Sequence, residues 1–420
     1  MITQSIVIVG AGAAGLIAAN KLSATFNITV LEARDRIGGR INTLTIQDQI
    51  IEGGAEFIHG NLPVTLQLLK DAQIKYVAVK GEMYRKKNGG FVIQNEIVND
   101  WDGLLQKMKS VKRDMSLHQF LQKYYSDSIN YSLRKQVIAY AEGFDLADMD
   151  DVSVKYLLKE WSGEDEINYR ITTGYASLTN YLYQQALNKG CTFLTDKIVK
   201  KVNWNQNYIT ALTADGQKYE ANKILITTPL KMISNANTAA AITFNPLINI
   251  YTKAAKDIGI GSVIKIIVKF KEIFWQTDAG FILSDAPYFS TWWTQLPDTT
   301  PILTGWMGGK NAGDAANYKQ EDLKIMAIES LSSIFNITPA IIKKNIVFIE
   351  LFNWDKIMIS PGAYSFDTLT TENARVILTT PIFKTIFFAG EALYNGDHPG
   401  TVEAALVSGL HAVQQIENSI

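Results

Sequence analysis

The stretch Ser5 to Arg40, SIVIVGAGAAGLIAANKLSATFNITVLEARDRIGGR, constrains the fold more than any other part of the chain. An apolar run, Ser5 to Val9, enters a turn with Gly10, Gly12 and Gly15 in G-x-G-x-x-G spacing, and an alanine-rich run from Ala18 to Leu22 continues it as helix. A second apolar run, Ile28 to Leu31, ends in Glu32, about twenty residues after the first glycine, where a dinucleotide site places a carboxylate for ribose hydroxyls. Strand, tight turn, helix, strand and acid in this order predict a βαβ unit that binds a dinucleotide. Gly10 makes the turn, Gly12 lets backbone approach a pyrophosphate, and Gly15 lets the helix pack closely. The helix amino terminus, around Ala14, turns unpaired N–H groups and a partial positive charge towards the phosphates.

Composition narrows the partners. The chain has 420 residues, 47% hydrophobic and 19% charged, enough for a large core or two domains. Forty basic and forty-one acidic residues leave a net charge of −1, so no global field points to nucleic acid or an anionic membrane surface. One cysteine, Cys191, excludes an internal disulfide and any multi-thiolate metal site, and His59, His118, His398 and His411 show no metal-ligand spacing. No metal is expected. No run approaches the length of a membrane span, and Met1 stands just ahead of the first strand, so a cytoplasmic protein without a signal peptide is expected.

The residues after Glu32 separate the dinucleotides. Ala33 to Arg40, ARDRIGGR, supplies three cations, Arg34 and Arg40 among them, and the Gly38-Gly39 pair, in a loop able to wrap a long diphosphate. This segment resembles the glutathione-reductase-like FAD proteins, and specifically the flavin-containing amine oxidase family. Further stretches share that resemblance in family order: IEGGAEFIHG (Ile51 to Gly60), GSVIKIIVKF (Gly261 to Phe270) followed by Phe274-Trp275, WDKIMISPGAYSF (Trp354 to Phe366), and FAGEALYNGDHPGTVEAALVSG near the carboxyl end. It implies an α/β fold: a glutathione-reductase-like Rossmann FAD-binding domain assembled from 1–78, 191–243 and 373–420. A discontinuous α+β substrate domain, a mixed sheet plus a helical insertion, would take 79–190 and 244–372.

The resemblance also assigns residues. FAD would be held by Gly10, Gly12, Ala14, Gly15, Glu32, Ala33, Arg34, Gly39 and Arg40. Gly54, Ala55 and Glu56 of IEGGAEFIHG, Val199 at the adenine, Gly390-Glu391, and Thr401 and Val402 at the start of the last helix would complete that set. That last helix would face the flavin's pyrimidine carbonyl and stabilise the negative charge of the reduced ring. Lys265 would hold a water against the reactive ring nitrogen, with Tyr364, Trp354 and His59 around the reacting amine. Buried there, Lys265 would have a lowered pKa suited to organising water or accepting a proton. Read from alternation alone, the strand puts Val263, Lys265, Ile267 and Lys269 on one face, with Lys265 towards solvent. Monoamine oxidases carry a flavin-bonding cysteine where this chain has Ala363, so the FAD is expected to be non-covalent. Thr401 stands where they have the second tyrosine of an aromatic cage, which implies a wider site for longer amines.

The implied activity is oxidation of a primary or secondary amine, polyamine-like or monoamine, to an imine, with hydride passing to flavin and then to dioxygen as hydrogen peroxide. An L-amino-acid oxidase would need a cation for the substrate carboxylate, and Arg85, Arg113, Arg134 and Arg170 are available. A carotenoid- or porphyrinogen-type oxidoreductase would share the first motif but not require Lys265. A non-catalytic flavin-binding scaffold would bind FAD and turn over no amine. Two acidic stretches in the predicted helical block, Glu142 to Asp151 and Glu160 to Glu166, read either as solvated caps or as attraction for a cationic amine. The partners implied are a small amine and dioxygen, with a homodimer possible.

Overall fold

The computed structural model describes residues 4–94, 98–163, 167–234, 238–357, 359 and 361–419. A five-stranded sheet forms its first half, in the order Thr192–Leu194, Asn27–Leu31, Ser5–Val9, Lys223–Ile226 and Ile386–Phe388, every pair parallel. A parallel sheet must be covered on both faces, and its strands accordingly run as near-continuous Val, Ile and Leu. Helix Ala13–Leu22 covers one face together with Val402–Glu417, which packs against it, and Ala176–Asn188. The other face is covered by the antiparallel strands Val199–Asn205, Tyr208–Thr213 and Lys218–Ala221, with Thr243–Asn245 alongside. Helices, parallel sheet and a second small sheet thus make three layers, and the central one draws strands from three distant parts of the sequence.

The second half is built on a seven-stranded mixed sheet. Its order is Ile346–Asn353, Val263–Phe270, Ile302–Gly308, Thr291–Trp293, Ala279–Leu283, Glu82–Lys87 and Gly90–Ile93. Helices Gly309–Ala315, Gln320–Phe335 and Pro339–Asn345 join one side of it in a common core. A separate helical block, Trp101–Lys109, Leu117–Tyr124, Tyr131–Gly143 and Val154–Trp161, has its own core around Phe120 and Trp161.

Two readings from the sequence change here. By its i, i+3 and i+4 spacing the sequence from Pro63 to Gln185 reads as mostly helical, yet it also carries the strands Tyr76–Ala78, Glu82–Lys87, Gly90–Ile93 and Asn168–Ile171. Within it Lys86 to Phe91, KKNGGF, reads as a hairpin turn and forms one, with Asn88 and Gly89 both at positive φ between paired strands. The alternation that placed Lys265 in solvent fails because Val263–Phe270 is an inner strand flanked by two others and buried on both faces. Lys265 itself is 1% exposed.

The glycine turn shows why the opening motif is so restrictive. Gly10 sits at φ +107°, and a Cβ there would lie 2.7 Å from the Thr227 hydroxyl. A Cβ on Gly15 would drive into the carbonyl oxygen of Gly10, backbone against backbone, so the helix can approach the turn this closely only without a side chain. Gly15→Ala is therefore expected to destabilise the fold by more than about 2 kcal/mol, read as a lowered midpoint in chemical denaturation.

Candidate active site

A cavity of about 1380 Å³ runs from the glycine turn, between the two halves, to the mixed sheet and the helical block. Its dinucleotide end is lined by Gly10, Gly12, Ala14, Glu32, Ala33, Arg34, Gly39, Arg40, Val199, Thr227 and Thr228. Glu32 is buried at the end of the second strand, where its two oxygens accept from the backbone N–H of Ala11 at 2.7 Å and of Arg34 at 3.0 Å. The carboxylate is thereby fixed beside the turn, as the spacing of the motif requires.

The residues here fit an FAD. Arg34 Nη2 and Thr228 Oγ1 are buried without a hydrogen-bond partner although both residues line the cavity. Burial, with Arg36 beside it, pulls the Arg34 guanidinium down to about 10 although Glu32 and Asp35 oppose the shift. A Cβ placed on Gly12 would meet only open space, so its backbone is free for close approach by a diphosphate. Farther on, Thr401 caps helix Val402–Glu417 by accepting from the Ala404 N–H at 3.1 Å, and the capped end borders the cavity. Thr401, Val402 and Gly390 all line it.

Two expected cofactor contacts have other work. The Glu391 carboxylate accepts from the Ser365 N–H at 2.9 Å, the Ser365 hydroxyl at 2.6 Å and Arg40 Nη1 at 2.9 Å. Arg40 also donates to the Ala363 carbonyl. Glu391 and Arg40 therefore lock the two halves together, with Arg40 still at the cavity wall. Gly54 is a close-packing position, since a Cβ there would strike the Arg40 carbonyl and the Trp354 ring, and Ala55 donates to that same carbonyl.

The inner cavity gathers the residues expected around a reacting amine. Lys265, Trp354, Tyr364, His59 and Ala363 all border it. Trp354 is buried with its indole N–H on the Gly53 carbonyl at 2.9 Å, and Tyr364 donates its hydroxyl to the Phe144 carbonyl, so each ring is held as wall. His59 bonds through Nδ1 to the Asn168 side-chain oxygen at 2.9 Å, and burial lowers its pKa. The imidazole is thus neutral, with Nδ1 protonated towards Asn168 and Nε2 carrying the lone pair. Cys191 is buried away from the cavity lining.

Lys265 is not the isolated lysine that the sequence suggested. Its Nζ donates to Glu56 Oε2 at 2.6 Å and to the Gly54 carbonyl at 3.2 Å, and lies 5.4 Å from the centre of the Trp293 ring. Glu56 Oε1 in turn accepts from Arg170 Nη2 at 2.8 Å and Trp293 Nε1 at 3.0 Å. Burial alone would raise the Glu56 carboxyl, but Lys265 and Arg170 outweigh it and hold the group below the usual range. Glu56, expected at the cofactor, is therefore a counterion hub, and Arg170, a candidate for a substrate carboxylate, is committed to it. Arg113 does not line the cavity. A lysine in an inner strand buried on both faces needs an anion, and here it comes from Glu56 in a distant segment.

The acidic stretches divide. Glu142, Asp145 and Glu160 line the cavity, with Asp145 bonded to the Trp161 indole, while Asp148 and Asp150 lie outside it. Glu164, Asp165 and Glu166 lie outside the described residues, as do Met358 and Ser360 of the Trp354 segment. Among the described residues no cluster could hold a metal, and no single helix is long and apolar enough to cross a membrane.

This geometry coincides with a match of residues 13–417 to the family of flavin containing amine oxidoreductases. The chain belongs to that family. Flavin is accordingly its cofactor, and the protein is a flavin-dependent oxidoreductase. It is similar to polyamine oxidase 4 of Oryza sativa subsp. japonica, 26% identical over 99% of this chain and 89% of that one. Human lysine-specific histone demethylase 2 is 25% identical over 98% of this chain but only 53% of its own length. Among solved structures, putrescine oxidase superimposes with a TM-score of 0.83 over 99% of both chains at 19% identity. Cyclohexylamine oxidase from Brevibacterium oxydans IH-35A gives 0.80 at 18%. These last two establish the shared fold.

Beneath the hub, Glu52 accepts from the Tyr175 N–H at 2.6 Å and the Thr43 hydroxyl at 2.8 Å, yet burial pushes its carboxyl up to about 7 from 4.5. Between these values the folded protein binds a proton that the unfolded chain has released. Stability from this group is thus full below about pH 4.5 and is lost as pH rises through 7, roughly 3 kcal/mol in all. Denaturation of wild type and Glu52→Gln from pH 4 to 8 should show their stability difference changing in that window and level above it.

Proposed function

We propose that the protein is an FAD-dependent amine oxidase acting on a small primary or secondary amine, which it converts to an imine with dioxygen as final acceptor and hydrogen peroxide as product. The observation that carries this reading is a buried lysine, Lys265, paired with Glu56 on the wall of one cavity with Trp354, Tyr364 and His59, continuous with a dinucleotide turn. Non-covalent FAD supplies the capacity to accept a hydride from the amine-bearing carbon and return it to dioxygen. The chain supplies placement. Glu32 stands where ribose hydroxyls are bound, and Arg34 offers its open N–H to the diphosphate. Lys265 has one N–H left after Glu56 and Gly54, enough to hold a water in the cavity. His59 accepts at Nε2 the proton of an arriving ammonium, leaving the neutral amine that can give up hydride. Water hydrolyses the imine after release.

The substrate end supports two chemistries. Glu142, Asp145 and Glu160 on the helical side suit a second ammonium, as in a di- or polyamine. A second reading rests on Arg85, which lines the cavity with its Nε buried and unpartnered and reaches Asp285 only at 3.8 Å. Register pairing puts Lys265, Trp306, Thr291, Leu283 and Arg85 in one row across five strands, so the two backbone positions at its ends are about 19 Å apart. An amine with a carboxylate at its far end would span from one cation to the other. The flavin-binding part is assigned to 1–78, 191–243 and 373–420, with helix Ala176–Asn188 packed onto it.

Purified protein should be yellow and release all its flavin in trichloroacetic acid; colour in the pellet would refute non-covalent binding. Under anaerobic conditions diamines, polyamines, monoamines and amino acids decide the substrate class by which of them bleaches the flavin. If none does, the oxidase reading fails and the scaffold reading stands. Lys265→Met should slow flavin reduction or reoxidation about 10²-fold while FAD stays bound, read by stopped-flow absorbance.

A further inference from the structure

Lys265 faces a choice set by electrostatics. A lone lysine in a strand buried on both faces would shed its proton, because desolvation disfavours the charged form. Here the ammonium sits 2.6 Å from Glu56 Oε2, in surroundings where both partners are nearly inaccessible, 1% and 6% exposed. A bond of that length, with Arg170 and the Trp293 indole donating to the same carboxylate, favours the ionised pair in spite of the desolvation that burial costs. The pair is also braced. Arg170 and the Trp293 indole occupy Glu56 Oε1, the Arg170 guanidinium is itself anchored to the Thr294 carbonyl at 3.3 Å and the Leu296 carbonyl at 3.2 Å, and its carbon lies 5.0 Å from the Phe57 ring centre. Glu56 therefore cannot swing away from Lys265 without breaking bonds contributed by two other strands, Asn168–Ile171 and Thr291–Trp293.

From this arrangement we infer that Glu56 is a positioning residue that holds Lys265 as an ammonium ion, two N–H groups committed and the third directed into the cavity, so that Lys265 serves as a hydrogen-bond donor and not as a base. The inference rests on the amine oxidase reading for its consequence, since a fixed donor orders one water and adds positive charge where the reduced flavin gains negative charge. The proton of the substrate is then left to His59 or to water. Charged groups facing the pair are Arg170 from the Asn168–Ile171 strand and Glu52 from Gln49–Glu52, which interacts with both Lys265 and Glu56; His59 borders the same cavity. Glu52 titrates near neutrality and His59 below its ordinary value, so neither contributes an alkaline transition.

The test uses holoenzyme without substrate. The visible flavin spectrum is titrated from about pH 6 to pH 11 in wild type, Glu56→Gln, Lys265→Met and the double variant. Expected is an alkaline spectral transition in Glu56→Gln at least about one pH unit below any in wild type, absent from both variants that lack Lys265. The alkaline limb of the flavin-reduction rate should move by the same amount. Superimposable titrations of wild type and Glu56→Gln would overturn the inference, as would a shifted transition that survives in the double variant. Glu56→Asp keeps the charge on a shorter arm and should give a smaller shift of the same sign. It decides the matter if the glutamine variant does not fold, and a wild-type titration for Glu56→Asp then counts against the inference. The spectral readout needs no amine turnover, so a failure of the oxidase reading, seen as no bleaching by any amine, remains distinct from a failure of the Glu56 assignment.

Discussion

A buried lysine paired with a buried carboxylate organises the meeting of the two halves. Leaving Lys265 unpaired would be expensive, and pairing it requires Glu56 to be buried as well, which in turn recruits Arg170 and Trp293. Three strands and one loop are thereby tied at one point: Val263–Phe270 and Thr291–Trp293 of the mixed sheet, Asn168–Ile171, and the segment leading to Phe57–His59. The same segment places Gly53 under Trp354 and His59 at the cavity wall. The second tie is made where Arg40 and Glu391, paired with each other, bond to the Ala363 carbonyl and to Ser365, so the dinucleotide turn and the inner cavity are held in register.

The dinucleotide half was legible in the sequence because its signals are local. Gly10, Gly15 and Glu32 act on backbone a few residues away or on the adjacent strand, and G-x-G-x-x-G spacing reports that directly. Discontinuity of the parallel sheet was also readable, since Lys223–Ile226 and Ile386–Phe388 are apolar runs of the kind a doubly covered sheet needs. What failed was inference from alternation. Val263–Phe270 has both faces buried, and a period of two carries no information about exposure when each side meets protein. Only the family resemblance put Lys265 at the flavin, and it named the lysine without its counterion.

The hub escaped the sequence because its members lie in four separate segments, Glu56, Arg170, Lys265 and Trp293. Three of them had a local explanation: Glu56 as a cofactor contact, Arg170 as a substrate cation and Lys265 as a water-holding lysine. No spacing rule links them, since the contacts exist only after the sheets close. The acidic stretches behaved similarly. Glu142, Asp145 and Glu160 reach the cavity while Asp148 and Asp150 do not, a division set by how helices Tyr131–Gly143 and Val154–Trp161 turn their ends to the mixed sheet.

The wall opposite Lys265 explains where selectivity has to come from. Tyr364 spends its hydroxyl on the Phe144 carbonyl, and Thr401 spends its own on the His398 carbonyl at 2.7 Å while accepting from Ala404, so neither has a donor free for a substrate. Ring face and helix cap therefore present shape, with no free hydroxyl proton, on this part of the cavity wall. Polar choice is displaced outward, to the carboxylates of the helical block and to Arg85 at the far end of the sheet row that begins at Lys265. A short monoamine would touch neither, whereas a longer chain would meet a charge whose sign decides whether it is held or repelled. Because that outer region is built from the segments Glu82–Lys87 and Tyr131–Gly143, far from the flavin-side motifs, it can differ between family members that keep the same chemistry.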